Sequence, residues 1–115
     1  MEQAKATPGP WFTGGTESGH VELLAAGPKR IGVLSKVGLS YGERRANADL
    51  VSAAPELLVE LQKAHQIIRN ALAVMTTTQK LEWGQRNAAD GVDGDGITRA
   101  HEREAVIARA TGAQS

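Results

Sequence analysis

The chain has no cysteine among its 115 residues. Disulfides, thiolate metal sites and a thiol nucleophile are therefore excluded. Aromatics are scarce at 3% of the chain, and the apolar fraction is 41%, slightly low for a packed globular protein, so any core must be mainly aliphatic. Net charge is also missing. The 13 Lys and Arg residues balance 13 Asp and Glu, which removes the bulk attraction expected of a general nucleic-acid binder and leaves only a local basic patch to consider. No run approaches the ~18 apolar residues of a membrane span, and the opening MEQAKATPGPW carries no apolar stretch of the secretory kind. The expectation is a soluble cytoplasmic protein without a membrane partner, folded at this length as one domain.

What is present begins with turn chemistry. Pro8 and Pro10 bracket Gly9, so Thr7–Pro10 reads as a turn leading into a strand at Trp11–Thr13, ended by Gly14 and Gly15. Thr16–Gly19 reads as a loop. Residues 20–26 form a second strand, and Gly27-Pro28 is a turn signal. Residues 29–37, KRIGVLSKV, give the clearest strand: Ile31, Val33, Ser35 and Val37 alternate as the inward set with Arg30, Gly32, Leu34 and Lys36. Three short strands make a meander, about the minimum for a stable sheet, and one face must be covered by helix.

The longest apolar period follows, over residues 43–75. A helix is expected to begin near Glu43, where a carboxylate suits the N-terminal dipole. Pro55 forces a break near Ala53–Ala54 and suits the first turn of a second helix running to about Met75. Val51, Ala54, Leu58, Leu61, His65, Ile68, Leu72 and Met75 step by three and four, a heptad seam with one polar member. Leu57, Ala64, Ile67, Ala71 and Val74 form a second stripe. Two stripes need two contacts, supplied either by the chain's own C-terminal helices or by a subunit interface. A homo-oligomer, a dimer or higher, is expected to use Leu58, Leu61, His65, Ile68 and Leu72. Thr76–Thr78 can cap a third helix over Gln79–Ala88, and Thr98 a fourth over Arg99–Ala110, ended by Gly112. The expected architecture is α+β: a small three-stranded antiparallel sheet packed on a Pro-kinked helix pair (residues 7–75), then two shorter helices as a C-terminal extension (76–115), all in a single domain.

Chemistry-bearing patterns are few. In DGVDGDGITRAHE, a calcium-loop register with Gly96 central places Asp93, Asp95 and Glu102 on ligand positions. Gly91 then takes the first ligand position and Ile97 arrives one residue early, so the segment reads as a helix–loop–helix turn. His20, His65 and His101 lie far apart with no H-x-x-x-H or H-E-x-x-H pair, so no metal site is assigned. His65 reads as a seam residue that sets register or hydrogen-bonds a partner. G-x-G-x-x-G after a strand, a P-loop and G-x-S-x-G are all absent, and neither a cofactor nor a catalytic set is assigned. Thr13-Gly14-Gly15-Thr16 is either a hairpin loop or a nest of N–H groups for an anion. Arg44 and Arg45 open the first helix near Tyr41, with Lys29-Arg30 and Lys36 as candidate neighbours. They are either a solvated basic start or a phosphate site built from guanidinium groups and helix N–H donors. In the second case Trp11, Phe12 or Tyr41 stacks on a base, and Asn47 adds a polar contact.

Two segments resemble a known group. Thr7-Pro8-Gly9-Pro10-Trp11, followed by Ala46-Asn47-Ala48-Asp49-Leu50-Val51-Ser52-Ala53-Ala54-Pro55-Glu56-Leu57-Leu58, is similar to small bacteriophage and prophage accessory proteins. These show TPGPW, a short β region and ANA-x-L-I-A-A-A-P-E-L-L. The Ead-like early proteins of lambdoid phages carry a related layout. Val51 and Ser52 stand where the pattern has Ile and Ala. The resemblance implies a phage gene product acting in the host cytoplasm. Small phage proteins often antagonise host defence, by blocking a host protein or by holding a nucleotide signal without cleaving it. The leading expectation is a non-enzymatic sponge for a phosphate-containing nucleotide, using Trp11, Tyr41, Arg44, Arg45 and Asn47. The alternative is a module that inhibits a host protein through an exposed helix.

Overall fold

The structure, a computed structural model, describes residues 6–15, 20–27, 29–34 and 38–112. In these residues the chain forms β1 (Trp11–Gly15), β2 (Val21–Ala25), β3 (Lys29–Leu34), α1 (Tyr41–Ser52), α2 (Ala54–Val74), α3 (Thr77–Ala89) and α4 (Ala100–Thr111). The class is α+β, as the sequence indicates. The chain divides into two compact units, Met1–Leu58 and Val59–Ser115, with the division inside α2.

The first unit is a sheet closed on one side by a helix. The strands run in the order β1-β2-β3, both pairs antiparallel. Along β2 the buried residues are Val21, Leu23 and Ala25, with Glu22 and Leu24 between them on the other face. This is the alternation of a half-buried strand. Helix α1 lies against β1 and β2, and its Ala48 is completely buried. A methyl side chain at that point lets the helix backbone come close to the sheet.

Two strand expectations are corrected. β1 continues through Gly14 and Gly15, which pair with Glu22 and Val21 instead of ending the strand. In β3, Val33 pairs with Glu22 on the outer face and is 43% exposed, while Gly32 and Leu34 pair with the buried Leu23 and Val21. The cause is an irregularity between Leu23 and Leu24, where the register passes from Gly32 to Arg30 and leaves Ile31 as the extra residue. One inserted residue reverses which side chains face inward beyond it. The expected Thr16–Gly19 loop, Pro28 of the turn signal, and Ser35, Lys36 and Val37 lie outside the described residues.

Helix α1 starts two residues before Glu43 because Ser40 is its N-cap, its hydroxyl accepting the Glu43 N–H at 3.1 Å. The helix ends at Ser52, and α2 starts at Ala54 with Pro55 in its first turn. The break thus falls at Ala53, whose N–H still donates to Asp49 and Leu50 carbonyls. The entry to β1 meets this break. A Cβ added to Gly9 would stand 2.8 Å from Pro55 Cβ and 3.2 Å from Glu56 Oε1.

In the second unit, α3 opens with a capping box: Thr76 Oγ1 accepts the Gln79 N–H, and Gln79 Oε1 accepts the Thr76 N–H. Helix α4 ends at Gly112 in the left-handed conformation, as expected. Its start is a correction. Arg99, not Thr98, is the N-cap, with φ 56° and no side-chain cap bond. The Thr98 carbonyl accepts from Arg103 Nη1 instead. Among the described residues no apolar side chain of this unit is fully buried.

The Gly9 contact predicts a cost for any side chain there. Gly9→Ala must push apart two rigid segments, and overpacking of this kind costs about 1–3 kcal/mol. Gly15, where an added Cβ meets nothing within 4 Å, is the control. Urea unfolding is expected to show a lower midpoint for Gly9→Ala and none of that loss for Gly15→Ala; equal midpoints would remove the joint from the account of the fold.

Candidate binding site at the start of α1

The first turns of α1 bring some of the expected ligand residues together. The Arg44 guanidinium lies 5.4 Å from the centre of the Tyr41 ring, a cation–π arrangement worth about 0.5–1 kcal/mol at exposed sites. Tyr41 is 64% exposed, so the outer part of this pair is open to a ligand. Arg45 reaches across to the sheet, with Nη1 3.4 Å from Thr13 Oγ1 and Nη2 3.6 Å from Asp49 Oδ1. Asn47 is exposed. It lies two residues, about 200°, round the helix from Arg45, so the two side chains leave opposite sides.

Other expected members are placed elsewhere. Trp11 pairs with Ala25, and Thr13 with Leu23, so both lie on the helix-covered face of the sheet. The Trp11 indole N–H donates to the Thr7 carbonyl at 3.1 Å, and the ring is half-buried. Phe12 faces the other side at 47% exposure. Arg30 is also on that far face, opposite Leu24 in register and ion-paired with Glu22. It therefore does not join Arg44 and Arg45. Lys36 and the last residue of the Thr13–Thr16 nest lie outside the described residues. The helix N-terminus already holds a carboxylate, since Ser40 Oγ donates to Glu43 Oε1 at 3.1 Å. A phosphate would have to displace it.

The α2 seam is the half-buried side of that helix. Leu58, Leu61, His65, Ile68, Leu72 and Met75 are all partly covered. The second stripe is open: Leu57 is 53%, Ile67 66% and Val74 82% exposed. His65 meets α4, where Arg103 Nε donates to His65 Nδ1 at 3.1 Å and Glu104 Oε1 lies 3.6 Å from Nε2. Sequence reading singled out His65 but not Arg103. The pair is 38 residues apart, and no local periodicity connects them.

The loop before α4 is held through its backbone groups by side chains of the flanking helices and of Arg99. Glu102 Oε2 accepts the Asp95 N–H at 3.0 Å, Arg99 Nη1 donates to the Asp93 carbonyl at 2.9 Å, and Asn87 Nδ2 donates to the Ile97 carbonyl at 2.7 Å. The Asp95 N–H, then Glu102's own N–H and the nearby Arg99 charge, hold the Glu102 carboxyl below its ordinary range. Among the described residues no group of three or more His, Cys, Asp or Glu side chains could hold a metal ion, and no helix is long and apolar enough to cross a membrane.

Comparison with known proteins gives one family. The family model described as Salmonella phage P22 protein Y8K6 matches residues 1–114. No curated protein and no solved structure matches.

The Glu102 geometry sets a pH dependence. A carboxyl held below its ordinary value contributes stability that is present above that value and lost as the pH falls toward the folded one. Protection of the Asp95 amide from hydrogen exchange is therefore expected to exceed that of a Glu102→Gln variant near neutral pH, and the difference to shrink as the pH falls below the ordinary carboxyl range. A wild-type Asp95 amide equally protected near neutral pH and below that range would contradict the carboxylate's role.

Proposed function

Because the chain belongs to the Salmonella phage P22 protein Y8K6 family, we propose that it is a small phage accessory protein that works in the host cytoplasm, countering antiviral defence by binding and not by turnover. The likeness of its TPGPW and ANADLVSAAPELL segments to Ead-like early phage proteins supports this setting. The observation that carries the binding reading is the open face of α2. Ile67 and Val74, about two helical turns apart, are 66% and 82% exposed. Ala64 lies between open neighbours on the same side. Apolar side chains this exposed, in a unit without a fully buried one among its described residues, fit a surface that a partner covers. Exposed apolar residues at i, i+3 and i+10 lie along one side of a helix and fit one laid into a host protein's groove. The partner is then a host protein that the phage product inhibits.

A second reading rests on the Tyr41–Arg44 pair. A nucleotide-derived immune signal has a base to stack on Tyr41 and phosphates to pair with Arg44 and Arg45. In this reading the protein holds the signal intact, as a sponge.

One set of samples separates the readings: wild type, Ile67→Lys/Val74→Lys, and Arg44→Glu/Arg45→Glu. Each is incubated with host lysate or with nucleotide signals and then heated to release small molecules. The α2 reading expects a host protein retained by wild type and lost from the Lys pair, with no nucleotide taken up. Recovery of an intact nucleotide from wild type but not from the Glu pair selects the sponge, and an altered nucleotide contradicts binding without turnover. If wild type and the Lys pair retain the same proteins, the open face of α2 is not the docking surface.

A further inference from the structure

Helix α4 has few means of staying in place. Its N-cap makes no side-chain capping bond, and none of its residues is buried. Its defined polar link to α2 is the Arg103–His65 hydrogen bond, 3.1 Å long, on a His65 side chain that is 12% exposed. A guanidinium can only donate, so His65 Nδ1 must be the acceptor and the ring proton must sit on Nε2, facing Glu104. We infer that α4 is latched to α2 only while His65 is neutral, and that a proton added at Nδ1 releases α4 from α2.

The chemistry of that step is a transfer of one proton from solvent to Nδ1. It turns the acceptor into a donor and sets N–H against N–H, with two cations in direct contact. The charged groups facing His65 are Arg103 and Glu104, both from α4. On its own helix Arg69 is exposed one turn further on, and Lys63 is exposed two residues before. Among the described residues no charged group of α3 pairs with it. Glu104 favours the protonated ring, but its side chain is 60% exposed and 3.6 Å away, so solvent screens it more than the Arg103 contact. Arg103 has no second place to turn, because Nη1 is committed to the Thr98 carbonyl and Nη2 is buried without a partner. The latch would therefore couple proton uptake to the docking of α4.

The test uses the full chain. Amide exchange across residues 103–107, corrected for intrinsic rates, is compared at about pH 7.5 and about pH 5, the span in which imidazoles titrate. Wild type is expected to lose protection by about tenfold or more at the lower pH. His65→Gln, whose carboxamide accepts from Arg103 at either pH, is expected to hold its protection. Nitrogen shifts of the wild-type ring near neutral pH are expected to show the Nε2–H form, a measurement that needs no variant. The inference is overturned by a wild-type α4 that stays protected at the lower pH, by a His65→Gln chain that loses as much as wild type, or by an Nδ1–H ring.

Discussion

Gly9 leaves no room for a side chain beside Pro55, and much of the first unit depends on that fit. Pro55 stands at the break between α1 and α2 because the helix cannot continue through it undisturbed. Gly9 stands just before β1, with the Trp11 indole tied back to the Thr7 carbonyl. Contact between them joins the entry to the sheet to the turn that ends its covering helix. Ala48, with no exposed surface, lets α1 sit close enough on Val21, Leu23 and Ala25 for that contact to form. A larger residue at Gly9 or Ala48 would have to push these layers apart.

The same contact joins two segments that stand apart in the sequence. Thr7–Trp11 and Ala46–Leu58 are far apart in sequence and touch in space. Their distinctive residues serve the fold: the prolines shape two turns, Gly9 makes the contact, Ala48 seats the helix, and the Trp11 ring closes the covered face. The candidate recognition residues are their neighbours, Tyr41 and Arg44 at the start of α1. In the second unit the balance differs. Capping bonds, the Glu102 carboxylate and the His65–Arg103 bond hold α3, α4 and their loop, while Ile67 and Val74 remain open.

Where the sequence was legible, a local cause was visible in it. Pro55 located the break at Ala53, Gly112 the end of α4, and the Thr76 region the start of α3, because each acts through its own dihedral angles or caps. The seam from Leu58 to Met75 was legible because helical periodicity selects one side, and that side is the half-covered one. The β3 alternation failed because a bulge at Ile31 depends on the partner strand, and nothing in KRIGVLSKV announces it. Thr98 was displaced as a cap because Arg103 takes its carbonyl, a side-chain contact that propensity does not encode. The candidate ligand set divided for the same reason. Tyr41 and Arg44 are one turn apart and meet, whereas Arg30 went to the far face of the sheet through the register of β3.

The contact between Gly9 and Pro55 can be observed directly in solution. Nuclear Overhauser spectra of the full chain should show strong cross-peaks between the Gly9 α-protons and the Pro55 ring protons, since a Cβ on Gly9 would lie 2.8 Å from Pro55 Cβ. A spectrum in which both residues are assigned and no such cross-peak appears would contradict the joint on which the first unit is built.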